Sequence, residues 1–400
     1  MPVPPKRILL VDDDQDTLNA LSTACIPYYE DWQVSTATSG VGALEQLGQG
    51  QFDAVVADKQ MPDMSGLELL RTAMVCHPQM ARILLSEHPD REMIVGSLGI
   101  VHQYLPKPCA PGDLLAAISR LTVLDQFFTN DLLRMVVARV QQLPSPPRVH
   151  FQLMKELALT DATIESVGAI IAQDASLTAK LLQVVNSAFF SPPQPVVSVR
   201  EAVQTVGFNL VRSLSLSLGL FASLNPLAAS ELNPDRLYLH SLATALLAQK
   251  IMIDESVAPE TADAAFAAGI LHDVGKLVLV SALPGLYRQS VQLAADELIP
   301  QWQAEANIFG VDHAAVGAYL LGLWGLPAPI VEAVAWHHEP GHRNPPGFNA
   351  LTGVHVADFL QSQQWPASPR ALVVNLDTSY IQSLDLAEKI ERWSEVDSCL

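Results

Sequence analysis

The chain has 400 residues, long enough for two or three domains at roughly 100–200 residues each. Hydrophobic residues make up 49% and charged ones 16%, and 42 acidic residues against 23 basic ones give a formal net charge of −19. The acidic excess runs through both halves without a basic run or tail, which argues against a general nucleic-acid or anionic-membrane binder, since phosphate contact needs clustered Lys and Arg. Cys25, Cys76, Cys109 and Cys399 lie far apart with no CxxC, which speaks against a cysteine-rich zinc site. The apolar run 8–11 is too short for a signal peptide and ends in three aspartates, so a cytoplasmic location is expected. Residues 213–230 and 314–331 lack charge over nearly the length of a membrane span. Their serines, glycines and prolines point to buried core helices instead, and no membrane is expected as a partner.

Residues 6–120 alternate short apolar runs with helical patterns. Strands are expected at 7–11, 32–37, 52–57, 82–85 and 103–105. Helices are expected at 17–25, 42–49, 67–75, 92–99 and 113–121. Five strands alternating with five helices imply a doubly wound α/β domain with a five-stranded parallel sheet covered on both faces. Residues 125–143 form one amphipathic stretch, with Phe128, Leu132, Met135, Val136 and Val140 near helical spacing, and the prolines from Pro144 onward end it. From there to about residue 362 the chain reads as all-α. The expected organisation is therefore an α/β domain over 1–121, a connecting helix over 122–143, an all-α domain over 144–362 and a partly helical tail over 363–400.

In a parallel α/β sheet, working residues gather at the carboxyl ends of the strands. Asp12 and Asp13 end the first strand, Asp58 the third and Ser86 the fourth, and Lys107 follows the fifth. Acids that follow strands can simply cap helices, and Asp14 and Asp16 are read that way. Three carboxylates converging beside one lysine raise one another's pKa, and a hard divalent cation such as Mg²⁺ relieves the strain. Asp58 then becomes a nucleophile able to form an aspartyl phosphate. The cation and Lys107 neutralise the phosphoryl oxygens while Ser86 hydrogen-bonds one of them.

These residues resemble the receiver domain of two-component response regulators, which has a flavodoxin-like fold. The resemblance covers about residues 5–121 and rests on the run from Leu9 to Asp14, Asp58 followed by Met61-Pro62-Asp63-Met64-Ser65-Gly66, Ser86, and Lys107-Pro108. It implies phosphotransfer from a histidine kinase to Asp58. It also implies a switch in which Ser86 moves toward the phosphate and Tyr104 rotates inward, and a cis Lys107–Pro108 peptide. Lys59-Gln60 depart from the apolar or small residues commoner after the acceptor.

Seven of the 11 histidines fall between residues 240 and 355. Imidazoles with a carboxylate suit a transition-metal or zinc-like site, and ligands on separate helices of a bundle can meet at one interior point. The candidate ligands are His240, His272, Asp273, His313, His337, His338 and Asp358. Each doublet, His272-Asp273 and His337-His338, is expected on a helix, where neighbours point about 100° apart and share an ion only over the seam. His342 and His355 are read as surface or hydrogen-bonded residues.

The set resembles the HD superfamily of metal-dependent phosphohydrolases, through His240, His272-Asp273 and Asp358. His313, His337-His338 and Lys276 resemble the branch that hydrolyses cyclic di-GMP, but its Gly-Tyr-Pro is missing after His338, and Arg236 stands where an acidic ligand is typical. Closer still is the HDOD domain, an HD-related output domain, over about 140–340. That resemblance rests on the proline-rich 143–147, the runs 171–177 and 181–190, Glu201-Ala202 with Val206-Gly207, 269–276, Asp312-His313, 324–327 and 337–340. It implies a signalling output rather than hydrolysis. Two functions follow. One is a non-enzymatic response regulator whose HDOD domain relays the signal to a partner protein, with homodimerisation through the connecting helix. The other is a phosphorylation-gated phosphohydrolase with Fe, Mn or Zn at the histidines and Lys276 at the phosphate of cyclic di-GMP or another nucleotide ligand. A DNA-binding output is disfavoured by the acidic second half.

Overall fold

The computed structural model describes residues 5–26, 32–87, 97, 100–124, 137, 140, 147–187, 190, 192, 194–219, 232–342, 348–364 and 375–397. The chain divides into two compact units, the first built on Met1–Gln141 and the second on most of the chain from Gln142 onward.

In the first unit, β1 (Lys6–Val11), β2 (Trp32–Ala37), β3 (Ala54–Asp58), β4 (Ala81–Ser86) and β5 (Gln103–Pro106) form one sheet in the order β2-β1-β3-β4-β5. All four pairings are parallel. Successive strand side chains point to opposite faces. Leu9, Val11, Val55, Ala57 and Leu84 pack under α2 (Gly40–Gln49) and α3 (Gly66–Cys76) on one face. Ile8, Leu10, Val56 and Ile83 are buried on the other, where α1 (Gln15–Cys25) lies beside α4 (Pro111–Leu124). The expected strands are all present. The last helix, expected to end at residue 121, runs to Leu124, because no Gly or Pro interrupts Leu121-Thr122-Val123-Leu124. The expected helix at 92–99 and the connecting helix at 125–143 lie outside the described residues, apart from Ser97, Val137 and Val140.

The second unit is helical throughout its described residues. In chain order the helices are α5 (Pro147–Glu156), α6 (Ile164–Ile171), α7 (Ala175–Val185), α8 (Val199–Gly219), α9 (Pro234–Asp254), α10 (Pro259–Leu271), α11 (Val274–Ala282), α12 (Pro284–Glu297), α13 (Gln301–Phe309), α14 (His313–Leu323), α15 (Ala328–Trp336), α16 (Ala350–Gln364), α17 (Thr378–Ser383) and α18 (Lys389–Asp397). α8 is broken at Gly207, whose φ of 74° suits glycine. α9, α10, α15 and α16 pack on one another. α9 and α10 approach closely because Gly269 faces Ala245, where a Cβ would stand 2.5 Å from the Ala245 Cα.

Part of 213–230 lies outside the described residues, and among those described the unbent helical stretch long and apolar enough to cross a membrane is Pro259–Ala282, with 83% of its apolar window buried. It comprises α10 and α11, which the core demands be apolar all round. The expected tail is part of the second unit over 375–397, because its amphipathic turns bury Tyr380, Ile381, Leu386 and Trp393.

Candidate functional site

The first site forms where β1, β3 and β4 end. The Asp14 side chain caps α1, accepting from the Asp16 N–H at 3.0 Å and the Thr17 hydroxyl at 2.7 Å. This is the capping role read for it. Capping leaves Asp12 and Asp13 ahead of the helix, Asp12 fully buried and Asp13 exposed. The Asp12 Oδ1 accepts from the Asp14 N–H and the Asp58 Oδ2 from the Gln60 N–H, both at 3.0 Å. Lys107 Nζ lies 2.7 Å from Asp12 Oδ2 and 2.7 Å from Asp58 Oδ1. Burial raises the Asp12 pKa, and Lys107 only partly offsets it. Burial opposes the Lys107 charge, but its bonds to Asp12 and Asp58 outweigh it and hold the pKa up.

The Ser86 Oγ is buried without a hydrogen-bond partner, one strand away from Asp58. Tyr104 is buried, its hydroxyl 2.7 Å from the Ser97 Oγ, and the Lys107–Pro108 peptide is cis. Gly66 brings the loop after Asp58 back over the strand end, where a Cβ would stand 2.0 Å from the Asp58 carbonyl oxygen. Ser65 and Glu68 cap the helix that follows with a reciprocal capping box. Asp12, Asp13 and Asp58 can place one oxygen each within 4.8 Å of one another. That all-oxygen set suits a small hard dication.

The second site draws on α9, α10, α11, α13, α14, α15 and α16. His240 sits in α9 and Asp358 in α16, and their Nε2 and Oδ1 are 3.0 Å apart. Contrary to the expectation from their spacing, His272 and Asp273 do not share a helix. They occupy the break between α10 and α11, with His272 as the C-cap residue and Asp273 at φ −95°, ψ 6°. His337 is likewise the C-cap residue of α15, and His338 lies just beyond. A chain leaving a helix can turn consecutive side chains toward one point, which a continuing helix cannot. His272 and His337 each direct Nδ1 to a carbonyl one turn back, Gly269 and Val334, at 2.8 Å. A carbonyl only accepts, so Nδ1 carries the hydrogen and Nε2 is the free lone pair. Both Nε2 atoms are buried with no hydrogen-bond partner.

His313 opens α14. Its Nε2 is 2.9 Å from the His338 Nε2 and 3.1 Å from Asp273 Oδ1. On its other side Nδ1 meets Glu305 Oε2 at 2.6 Å. Glu305, wholly buried in α13, was not anticipated. Its signal is the buried stripe Gln301, Glu305, Phe309 at four-residue spacing. Trp302 stacks on His338, with ring centroids 5.6 Å apart. Lys276 Nζ is 2.8 Å from Asp273 Oδ2. Gly275 packs against α14, where a Cβ would stand 2.0 Å from the His313 carbonyl oxygen. Arg236, one turn before His240, donates its backbone N–H to the Asn233 cap. His342 is exposed and His355 is buried and hydrogen-bonded, as read for both.

Burial lowers the pKa of His272 and His337, the latter to about 3, where neighbouring His272 adds to the effect. Burial also opposes charge on His313, but the Glu305 carboxylate outweighs it and lifts the pKa to about 9. Asp273 stays ionised because His272, Lys276 and His313 together overcome its burial. Three overlapping groups bring their ligand atoms within 4.8 Å of one another: His313, His337 and His338; His240, His272 and Asp273; and His272, His337 and Asp358. Two orphaned imidazole lone pairs among imidazole and carboxylate donors fit a transition metal or zinc.

The response regulator receiver domain family matches residues 8–119, and the HDOD domain family matches residues 143–340. The chain is 32% identical over 165 residues to the response regulator MprA of Mycobacterium leprae (strain TN), covering 38% of this chain and 72% of MprA. It is 27% identical over 219 residues to an uncharacterized protein of Treponema pallidum (strain Nichols), spanning 54% of this chain and 41% of that protein. It spans half the length of MprA from Mycobacterium sp. (strain KMS), at 33% identity. Among solved structures, the MmoQ response regulator of Methylococcus capsulatus str. Bath aligns at 25% identity, with a TM-score of 0.49, over 64% of this chain and 98% of that one. The receiver domain of an HD domain-containing protein from Pseudomonas fluorescens Pf-5 aligns at 27% identity, with a TM-score of 0.30, over 32% of this chain and 93% of that one.

Proposed function

We propose, from the premise that this chain belongs to the response regulators and joins a receiver domain to an HDOD domain, that it is switched by phosphorylation of Asp58 and relays that state to a partner protein. The observation that carries the reading is the lysine bridge: Lys107 Nζ is 2.7 Å from both Asp12 and Asp58, with the unpaired Ser86 Oγ beside them. The phosphodonor is the phosphohistidine of a histidine kinase. Its N–P bond breaks as an Asp58 carboxylate oxygen bonds to phosphorus, and the imidazole departs with the electron pair. Lys107 neutralises the phosphoryl oxygens, and Ser86 donates a hydrogen bond to one of them. Asp12, Asp13 and Asp58 would hold Mg²⁺, which supplies further charge neutralisation at the phosphoryl group. The new charge and its hydrogen bonds move Ser86 and bias Tyr104, the local event that the second unit reads out. Asp58→Asn should abolish labelling by a small phosphodonor such as acetyl phosphate, and labelling that persists would overturn the assignment.

The unpaired Nε2 atoms of His272 and His337 favour a second reading, in which the HDOD unit is a metal centre and a phosphohydrolase for a cyclic dinucleotide or another nucleotide. The candidate ligands are His240, His272, Asp273, His313, His337, His338 and Asp358, and a bound Fe, Mn or Zn would polarise the phosphate and acidify water. Lys276 would neutralise a phosphate oxygen. Elemental analysis of protein purified without chelator tests this reading, and absence of all three metals would defeat it. Turnover of cyclic di-GMP that survives Asp273→Ala would assign the activity elsewhere.

A further inference from the structure

The match to the HDOD domain ends at residue 340, yet helix α16 and residues 375–397 continue the histidine site. α16 presents Thr352, His355 and Asp358 at three-residue intervals, all buried. Asp358 faces the cluster. His355 Nδ1 lies 2.6 Å from the carbonyl oxygen of His337, and the Asp377 N–H donates to His355 Nε2 at 3.0 Å. A carbonyl only accepts and an amide N–H only donates, so the imidazole is the neutral Nδ1–H tautomer bridging two backbones. The carbonyl it holds is an orphan acceptor at the end of α15, and it belongs to the peptide joining His337 to His338.

Residues 375–397 are themselves anchored. Thr352 Oγ1 and the Tyr380 hydroxyl are 2.7 Å apart. Trp393 is fully buried beside Phe348, with ring centroids 5.9 Å apart. Lys389 and Arg392 reach Glu255, the residue that ends α9, the His240 helix. Asp377 Oδ2 fills the space a side chain on Gly341 would need, 2.8 Å from its Cβ position.

We infer that residues 375–397 act as a clamp on the histidine cluster, with His355 as the positioning residue that fixes the peptide between His337 and His338. The inference rests on reading the cluster as a metal site. By reciprocity, a segment whose docking favours the liganded geometry must itself be held more firmly when metal is bound.

The test uses the full chain and Co²⁺ as the probe, read by its absorption bands and by hydrogen exchange. His355→Ala should weaken Co²⁺ binding about 10–100-fold, the range for removing a group that orients a ligand. His355→Gln, which keeps one donor and one acceptor, should recover most of the affinity and the absorption spectrum. In the unmutated chain, Co²⁺ should slow amide exchange across 376–397, a measurement that needs no variant to fold. Unchanged affinity in His355→Ala, or exchange across 376–397 that ignores Co²⁺, would overturn the clamp while leaving the metal reading intact. An unmutated chain that takes up no Co²⁺ would overturn both.

Discussion

The two polar sites share one device, a lysine ammonium held against a buried carboxylate, and differ in enclosure. At the strand ends Lys107 bridges Asp12 and Asp58, with Asp13 exposed beside them. In the helical unit Lys276 holds Asp273 amid His272, His313 and His337, all essentially without solvent contact. The first arrangement admits a reactant that arrives and departs. The second surrounds unpaired imidazole nitrogens with protein, an arrangement suited to something that stays. A buried site depends on its internal charge pairing far more than an open one, because water cannot substitute for a lost partner.

The sharpest way to break this comparison is to remove one partner from each site. Asp273→Ala leaves Lys276 and His313 facing each other without the carboxylate between them, and should cost about 3–5 kcal/mol in urea unfolding. Lys107→Ala should cost less, and Mg²⁺ should restore part of the loss. Equal, Mg²⁺-insensitive losses would erase the distinction.

A pH series on chelated protein comes next. His313 is raised by Glu305 to about 9, so its stabilisation is complete below the ordinary histidine value of about 6.5 and is lost as pH rises through about 9. His272 and His337 are lowered, the latter to about 3, so their contribution is present above about 6.5 and is lost as pH falls toward about 3. Stability of the second unit should therefore peak near neutrality and fall on either side by up to about 3 kcal/mol. The raised Lys107 contributes fully across that range, so the first unit should lack the alkaline limb. Glu305→Gln should flatten that limb in the second unit, and a limb that survived it would remove the assigned pair.

The two close glycines offer a finer cut. A Cβ at Gly66 meets the Asp58 carbonyl, and one at Gly275 meets the His313 carbonyl. Each alanine variant should cost about 1–3 kcal/mol by overpacking. Gly66→Ala should slow labelling of Asp58 and leave metal content alone, and Gly275→Ala should do the reverse. Smallest are the capping boxes of Ser65 and Thr163, one in each unit. Replacing either by alanine should lower stability by about 1 kcal/mol in denaturant unfolding. A markedly larger loss at Ser65 would mean that the cap also holds the Asp58 loop.

Most of the first site is legible in the chain order. Parallel strands deliver their carboxyl ends to one edge, so Asp12, Asp58, Ser86 and Lys107 could be placed together before any packing was known. The histidine site is only half legible. Its residue types and helices are readable, but the spacing of His272-Asp273 and His337-His338 suggested helix interiors, whereas both doublets sit where a helix ends. Pro340, two residues past His338, is the local signal for the second break, and no proline or adjacent glycine marks the first. Glu305 escaped notice because its partner His313 is on another helix and only the burial of α13 reveals it.

What the sequence by itself determined is the division into an α/β unit and a helical one, the family of each, and the strand-end site, since these follow from local periodicity and from residues fixed to strand termini. The tertiary structure alone decided how the histidines meet. His240 and Asp358 are 118 residues apart and meet because α9 packs on α16, where Gly353 lies against the Ala248 carbonyl and the Met252 side chain. It alone turned the expected tail into part of the site, through one imidazole that joins Asp377 to His337. Contacts between distant elements depend on packing and desolvation, and those forces act on surfaces that exist only after the chain has folded.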